Sequence, residues 1–248
     1  MNSNKSAATV LIVGARSDIA QALAHTYGAI GANLILAARN VSTLEPLRSD
    51  LILRYAISVV LIEFNLLAPV PEGLVKRLPL LPDTVVMMAG LLGTQSDSVA
   101  RPDVADVVMQ TNYVAPARLL LAFAAAMESR GNGTIIGVSS VAGDRGRASN
   151  YIYGAAKAGL TAFLSGLRAS LTHSGVHVLT VKPGFVRTAM TKDMKLPAPI
   201  TADPEEVADA IVRAARARKN VIYVRPVWRA IMTIIRVLPE SVFKRLNL

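Results

Sequence analysis

The sequence contains no cysteine, and this absence removes several kinds of chemistry at once. Disulfide bonds, catalysis by a thiolate, and zinc or iron–sulfur sites built on cysteine are all excluded. The chain has three histidines, His25, His173 and His177. None of them stands at a metal-ligand spacing from carboxylates, so we expect no metal site. A Gly-x-Ser-x-Gly motif is also missing, which disfavours an α/β-hydrolase.

Long apolar runs are missing as well. No stretch of about 18 uninterrupted apolar residues occurs, so we expect no membrane-spanning helix. The polar residues 1–9 lead directly into an apolar strand pattern, without the apolar core and cleavage site of a signal peptide. We therefore expect a cytoplasmic protein, with peripheral attachment to a membrane as an open alternative.

Positive charge outweighs negative charge in this chain. Lys and Arg total 27 against 17 Asp and Glu, which gives a net charge of +10. Such a surplus suits a phosphate-bearing cofactor, an anionic membrane surface or nucleic acid. Aromatic residues amount to only 5% of the chain and do not cluster with basic ones, so we expect no nucleic-acid partner.

The order of apolar runs and helical segments predicts the fold class. Of the 248 residues, 52% are apolar, which is enough for a sizeable core in one domain spanning residues 1–248. Seven short apolar runs alternate with helical stretches, and continuous runs are typical of parallel strands buried on both faces. The runs are residues 10–13, 33–37, 58–64, 84–89, 133–138, 176–181 and 221–224. The sequence therefore predicts an α/β, Rossmann-type, doubly wound parallel sheet of about seven strands.

The first predicted strand is followed by a turn of mostly small residues. Residues 14–20 have the sequence Gly-Ala-Arg-Ser-Asp-Ile-Ala and precede a helix predicted at 21–27. Gly14 permits a tight turn, and the small side chains let the backbone approach a phosphate at the helix N-terminus. An ordinary strand–turn–helix with Asp18 as its N-cap is the alternative.

The end of the second predicted strand indicates which dinucleotide would bind. A site specific for NAD offers an acidic residue to the adenosine ribose at this point, but this chain has Arg39 there. Arg39, together with Arg16, would bind a ribose 2′-phosphate by charge-assisted hydrogen bonds, which favours NADP. The alternative is that both arginines are solvated surface charges.

Ser140, Tyr153 and Lys157 form the strongest local pattern. Tyr153 and Lys157 are four residues apart, which places them on one face of a helix. A lysine ammonium beside a tyrosine lowers the pKa of the phenol, so Tyr153 would exchange a proton with a carbonyl or alcohol oxygen. Ser140, at a strand end, would hold that oxygen. Tyr151 competes for the acid role, but its fourth neighbour is Ala155; the alternative is a helical Tyr and Lys without a catalytic role.

With these residues in place, the chain resembles the short-chain dehydrogenase/reductase superfamily over essentially its whole length. The resemblance implies a catalytic set of Asn112, Ser140, Tyr153 and Lys157, with Asn112 holding a water in a proton relay that reaches Lys157. A helix-capping or kink-forming amide is the alternative for Asn112. Family members are commonly dimers or tetramers, so the resemblance also implies a homo-oligomer.

The resemblance extends to the cofactor site. Residues 183–188, Pro-Gly-Phe-Val-Arg-Thr, resemble the segment that passes beside the nicotinamide in this family. The implied NADP-binding residues are Gly14, Arg16, Ser17, Asp18, Ile19, Arg39, Asn65, Leu66, Ala89, Gly90, Tyr153, Lys157, Pro183, Gly184, Val186 and Thr188. Five positions depart from the family pattern: Val13 replaces a threonine before Gly14, Asp18 and Ala20 replace later glycines of the loop, Met88 replaces an asparagine, and Asn65 stands where an aspartate often contacts adenine.

Four further stretches resemble one branch of the superfamily. Residues 90–93, 111–113, 151–154 and 237–246 are similar to decaprenylphosphoryl-2-keto-ribose reductases, which reduce a keto group on a lipid-linked sugar. The resemblance to the wider family leaves two alternatives open: a reductase of 3-oxoacyl groups or small ketones, and a dinucleotide-binding scaffold without catalysis.

The C-terminal extension, residues 226–248, is predicted to begin with an amphipathic helix. A helical wheel of residues 225–238, with Pro226 at the start, places Arg225, Arg229 and Arg236 within about 40° of one another. The opposite side contains Val227, Trp228, Ile231, Ile234, Ile235 and Leu238. This pattern is typical of a helix lying in a membrane interface. A helix packed on the core, on a substrate pocket or on a second subunit is the alternative.

Overall fold

The computed structural model describes residues 7–69 and 74–246. Its strands, in chain order, are β1 Thr9–Val13, β2 Asn33–Ala38, β3 Val59–Glu63, β4 Thr84–Met87, β5 Gly133–Val138, β6 Val176–Lys182, β7 Phe185–Val186, β8 Thr201–Ala202 and β9 Val221–Tyr223. Seven of them form one sheet in the order β3-β2-β1-β4-β5-β6-β9, in which every neighbouring pair is parallel. The predicted doubly wound parallel sheet of seven strands is confirmed.

Helices cover both faces of this sheet. They are α1 Asp18–Ala29, α2 Glu45–Tyr55, α3 Gln95–Ala100, α4 Pro102–Met109, α5 Ala115–Arg130, α6 Tyr151–Ser170, α7 Pro204–Arg216, α8 Val227–Val237 and α9 Glu240–Phe243. A short parallel pair, β7 and β8, lies outside the main sheet. Within the described residues, none of these helices combines the length and apolar character needed to cross a membrane.

The central strands are buried on both faces, which explains why their sequences are continuous apolar runs. Along β1, Val10 and Ile12 belong to the core beneath α1 and α7, whereas Leu11 and Val13 belong to the core beneath α5 and α6. Alternate residues of a strand point to opposite faces, so a strand between two helical layers is apolar at most positions.

Two predicted strands are two residues shorter in the structure. The strand expected at 58–64 is shorter at both ends, and the strand expected at 84–89 stops at Met87. Met88 still donates its backbone N–H to the Val13 oxygen at 2.9 Å, but the next residues turn away from the sheet. The apolar pattern continues through Ala89 because this segment lies against the glycine turn. The apolar run in the sequence is therefore longer than the strand itself.

The strand order creates a crevice at the carboxyl edge of the sheet. From β1 the chain crosses outward to β2 and β3, and then returns to β4 on the other side of β1. The connections after β1 and β4 therefore diverge, and ligands of open α/β sheets bind at such a switch point. The turn at Gly14 and the segment Ala89–Gly90 lie here, and β5 and β6 end at the same edge.

Helix α1 begins earlier than predicted, and its N-cap is a different residue. The helix starts at Asp18 rather than at residue 21, and Ser17 is the N-cap, with its hydroxyl accepting from the Ala20 N–H at 3.2 Å. Ser17 has the extended backbone of an N-cap, whereas Asp18 is already helical. The alternative that made Asp18 the N-cap is therefore wrong, and the Asp18 carboxylate is available for another contact.

Gly14 is required where the turn meets the neighbouring strand end. Its φ is +86°, a conformation that side chains disfavour. A Cβ at this position would lie 2.7 Å from the Ala89 backbone nitrogen, so even an alanine would collide with the backbone. The crevice floor therefore depends on two backbone segments that are in direct contact.

Replacing Gly14 with Ala should destabilise the protein more than the matched change Gly31→Ala. Gly31 has a similar φ of +78° but no atom within 4 Å of its Cβ position. We expect Gly31→Ala to cost about 1 kcal/mol from backbone strain alone. Gly14→Ala should cost about 2 kcal/mol more because of the overlap with Ala89. Urea unfolding measures both free energies, and equal losses would contradict the close approach.

Candidate active site

Two adjoining cavities occupy the crevice. The Arg39 cavity, defined by Gly14, Arg39 and Asn65, encloses about 420 Å³. The Ser140 cavity, defined by Ser140 and Tyr153, encloses about 340 Å³. Both are lined by Arg16, Ser17, Met88 and Gly90, so they form one continuous cleft.

Every residue implied for cofactor binding lines one of these two cavities. Those in the Arg39 cavity are Gly14, Arg16, Ser17, Arg39, Asn65, Leu66, Ala89 and Gly90. Those in the Ser140 cavity are Arg16, Ser17, Asp18, Ile19, Gly90, Tyr153, Lys157, Pro183, Gly184, Val186 and Thr188. Residues that are far apart in the chain thus converge on a single cleft.

The two arginines lie close together at the open end of the Arg39 cavity. Both side chains are exposed, and Arg16 Nη1 donates to the Arg39 backbone oxygen at 3.4 Å. Glu63, the last residue of β3, is the nearby acid, and its carboxylate accepts from the N–H groups of Asn40 and Val41 at 2.9 and 2.8 Å. These bonds hold the loop after Arg39. Sequence reasoning missed Glu63 because its partners come from a different strand.

Asp18 joins the turn after β1 to the segment after β7. Its Oδ2 accepts from the Ala189 backbone N–H at 2.7 Å. The aspartate that replaces a glycine of the family pattern therefore connects two walls of the Ser140 cavity. In the Arg39 cavity, Asn65 Oδ1 accepts from the Leu67 N–H at 3.1 Å, which closes a turn and positions the amide at the cavity wall.

Ser140 and Tyr153 meet at the centre of the Ser140 cavity. Ser140 follows β5, and its Oγ accepts from the Ala142 N–H at 3.1 Å at the start of a 3₁₀ turn, Val141–Gly143. Tyr153 lies in the first turn of α6. Burial raises the pKa of Tyr153 to about 12, and a hydrogen bond with the Ser140 side chain opposes this rise.

Lys157 lies one helical turn beyond Tyr153 and is buried. Its Nζ donates to the Val138 backbone oxygen at 3.0 Å and lies 5.7 Å from the centre of the Tyr153 ring. Burial lowers the pKa of Lys157 to about 8. The pKa of Tyr153 is raised rather than lowered as expected, because burial of the phenol outweighs the hydrogen bond with Ser140. Stabilisation of the phenolate by the Lys157 ammonium stays a prediction.

Ser139 fixes the position of α6 against β5. Its Oγ bonds with the Lys157 backbone oxygen at 2.9 Å and with Thr161 Oγ1 at 2.7 Å. Together with the bond from Lys157 Nζ to Val138, these contacts tie one helix to the strand that precedes Ser140. The relative position of Ser140, Tyr153 and Lys157 is thereby set by buried hydrogen bonds.

Asn112 lies behind the cleft, in a π-helical turn between α4 and α5. It is fully buried, and its Nδ2 donates to the oxygens of Leu91 and Val108 at 2.7 and 2.8 Å. Its Oδ1 accepts from the Leu91 N–H at 3.3 Å. A Cβ at Gly90 would lie 3.3 Å from Asn112 Oδ1 and 3.6 Å from Lys157 Nζ, so both polar groups converge on Gly90. These contacts favour the kink-forming role, while the role in a proton relay stays a prediction.

A buried charged cluster behind the Ser140 cavity was not predicted. The Asp144 carboxylate accepts from Lys182 Nζ at 2.5 Å and from the Tyr223 hydroxyl at 2.7 Å. The cluster joins the segment after Ser140 to the ends of β6 and β9. No local pattern could have revealed it, because its three members are contributed by three separate strands and loops.

Helix α8 closes one side of the Ser140 cavity. Trp228 is buried against Phe185, with ring centres 5.4 Å apart, and its Nε1 donates to the Ile200 oxygen at 2.8 Å. Arg145 Nη1 donates to the oxygens of Ile235 and Leu238 at 2.5 and 2.6 Å, near the C-terminal end of the helix. The predicted alternative of a helix packed on the core and the pocket is therefore correct for one face of α8.

Two details of the predicted C-terminal helix are wrong. Arg225 precedes α8 in a left-handed conformation, and its Nη2 donates to both carboxylate oxygens of Glu206, so it does not share a helical face with Arg229 and Arg236. Trp228 is buried rather than placed at a membrane boundary. The wheel failed because Arg225 satisfies its charge within the protein, a contact that helical periodicity does not encode.

Comparisons with known proteins agree with this fold. The family model for short chain dehydrogenases matches residues 8–198. The chain is 39% identical over 249 residues to an uncharacterized oxidoreductase of Mycobacterium tuberculosis, with 97% of each protein covered. It is 35% identical over 246 residues to an uncharacterized oxidoreductase of Streptomyces coelicolor, with 96% of this chain and 95% of that protein covered.

A solved structure shows the same fold. The short-chain dehydrogenase from Sphingobium yanoikuyae in complex with NADPH superimposes with a TM-score of 0.80 at 24% sequence identity, covering 94% of this chain and 97% of that chain. The sequence relatives span nearly the whole length, and the family model covers most of it. The chain therefore belongs to the short-chain dehydrogenase family.

Proposed function

We propose that this protein is an NADP(H)-dependent oxidoreductase that interconverts a carbonyl and a secondary alcohol. The observation that carries the proposal is the convergence of Ser140, Tyr153 and Lys157 in one cavity that continues into the Arg39 cavity. When bound, the cofactor supplies or accepts a hydride at its nicotinamide ring. The protein's own residues supply binding, orientation and the proton.

The cleft fits a dinucleotide with a 2′-phosphate. The N-terminus of α1 offers backbone N–H groups to a pyrophosphate, whereas the N–H groups of Gly14 and Ala15 already donate to the Ala37 oxygen. Arg16 and Arg39 lie where the ribose phosphate would be bound, and the Glu63 carboxylate is turned to the backbone of Asn40 and Val41. The structural neighbour from Sphingobium yanoikuyae, which binds NADPH, supports this choice of cofactor.

Tyr153 acts as the acid when the carbonyl is reduced. With a pKa of about 12, its phenol is protonated at neutral pH and donates the proton to the carbonyl oxygen. Ser140 donates a hydrogen bond to the same oxygen and orients it. The phenolate left behind is stabilised by the Lys157 ammonium, which with a pKa of about 8 is charged at neutral pH.

Replacing Tyr153 with Phe should abolish turnover and leave the cofactor site intact. We expect kcat for ketone reduction to fall by at least about 10²-fold, because the proton donor is lost. NADPH affinity, measured by fluorescence titration, should change little. Tyr151→Phe is the matched control, since Tyr151 lies on the same helix and is exposed. Unchanged turnover in Tyr153→Phe would contradict the assignment of Tyr153 as the proton donor.

The pH dependence of reduction should report the charge on Lys157. Because the ammonium is needed and its pKa is lowered to about 8, kcat/KM should fall as the pH rises above about 8. In Lys157→Arg the guanidinium stays protonated, so this alkaline decline should move to higher pH even where the rate itself is lower. Steady-state kinetics across the alkaline range measure this decline of kcat/KM. An identical decline in both proteins would mean that a group other than Lys157 causes it.

We propose further that the substrate reaches the cleft from a lipid surface, as a keto group on a lipid-linked sugar would. One observation favours this choice over a small soluble ketone. The face of α8 that is not packed on the protein exposes Val227, Ile234 and Val237, and Ile234 and Val237 are 61% and 74% exposed. Arg229 and Arg236 are exposed on the same helix, which suits an anionic membrane surface, although Arg236 also bonds with the Tyr223 side chain.

Charging the exposed stripe should weaken binding to anionic vesicles. We expect Ile234→Glu with Val237→Glu to lower co-sedimentation with phosphatidylglycerol vesicles several-fold, because the change removes apolar contact and adds repulsion. Leu53→Glu is the matched control, since Leu53 is 86% exposed on α2. Wild-type protein that does not co-sediment with the vesicles would contradict the proposal that the substrate arrives from a lipid surface. A change in oligomeric state without a change in vesicle binding would make the stripe a subunit interface.

A further inference from the structure

Arg147 lines the Ser140 cavity and has no role in the chemistry described so far. It lies between the turn that follows Ser140 and the start of α6, and it is half-buried. Its Nη2 contacts the sulfur of Met232 at 3.4 Å, and its Nε is buried without a hydrogen-bond partner. A guanidinium with five N–H donors thus has most of its bonding capacity unused.

The charge of Arg147 is also uncompensated. Across residues 7–69 and 74–246, no carboxylate oxygen lies within 4.0 Å of its guanidinium. Asp144 is the acid whose charge acts on Arg147, but its oxygens are already bound by Lys182 and Tyr223. Burial lowers the pKa of Arg147, yet the guanidinium remains charged at any physiological pH. An anionic ligand would pair with this half-buried charge and offset the cost of its partial burial.

The surroundings of Arg147 define the rest of that ligand. The wall of the cavity on this side is apolar and includes Val141, Met190, Met194 and Trp228. Beside it, the Asn150 side chain also lines the cavity, and its Oδ1 is buried without a partner. Such a site accommodates an apolar body, one anionic group and a hydrogen-bond donor such as a hydroxyl.

We propose that Arg147 binds an anionic group of the substrate, a carboxylate or a phosphate, while Ser140 and Tyr153 hold its carbonyl. The substrate class is then a carbonyl compound with an apolar body and one acidic group. This inference rests on the proposed function and deepens it, because it assigns a specificity-determining residue. Arginine suits the role since its planar fork forms two parallel bonds with either anion.

The test compares acids with their neutral esters. The probes are oxodecanoates with the carbonyl at successive positions, their methyl esters, and oxodecyl phosphates for the phosphate arm. Turnover is followed as NADPH oxidation. Binding is followed independently through Trp228, the only tryptophan of the chain, which lines the cavity. We expect at least one acid or phosphate to exceed its neutral counterpart about tenfold or more in kcat/KM and in affinity.

Variants of Arg147 complete the experiment. Arg147→Gln should lower kcat/KM for the anionic probe about tenfold and leave the ester within about threefold, since only the charged contact is lost. Arg147→Lys should keep part of the preference because it keeps the charge. Arg213→Gln, which makes the same charge change at an exposed position of α7, is the matched control. The anionic probe with the higher kcat/KM, carboxylate or phosphate, identifies the group that Arg147 binds.

Failure of this inference is distinguishable from failure of the proposed reaction. One outcome is that no probe oxidises NADPH but an acid or phosphate still quenches the fluorescence of Trp228, and that this quenching requires Arg147. That outcome would support the anion site and contradict the proposed reaction. Equal binding and turnover of anionic and neutral probes in the wild-type protein would overturn the inference. That comparison needs no variant, so it holds even where Arg147→Gln fails to fold.

Discussion

The ammonium group of Lys157 is buried, and it donates a hydrogen bond to the Val138 oxygen at the end of β5 at 3.0 Å. A buried ammonium is costly unless it is hydrogen-bonded, so this contact restricts how α6 can lie against the sheet. Ser139 adds two bonds between the same strand end and helix. The separation of Ser140 from Tyr153 follows from these three buried bonds, and the cavity between the two residues follows from that separation.

Much of the fold could be predicted because strand burial leaves a direct signal. The central strands of the main sheet are mostly apolar runs, since helices cover both faces. The spacing of Tyr153 and Lys157 likewise encodes one helical face. The pKa of Tyr153 could not be predicted in this way, because its direction depends on how deeply the phenol is buried, and spacing carries no information on depth.

The parts that sequence reasoning missed are contacts between distant segments. Asp144, Lys182 and Tyr223 meet only because three strands or loops end at the same edge. Arg225 was assigned to a helix by periodicity, but its pairing with Glu206 holds it in a left-handed turn before α8. Arg147 carries no local signal either, since its place in the cavity depends on how the segment after Ser140 packs against α8.

The most direct test of the cleft as an NADP(H) site is a fluorescence titration of the purified protein with NADPH and, in parallel, NADH. Arg16 and Arg39 would bind the 2′-phosphate that only NADPH carries. We expect NADPH to bind at least about tenfold more tightly, and Arg39→Ala to remove most of that preference without weakening NADH. Equal or tighter binding of NADH would contradict the assignment of the arginines. Binding of neither dinucleotide would contradict the oxidoreductase itself and favour a scaffold that keeps only the fold.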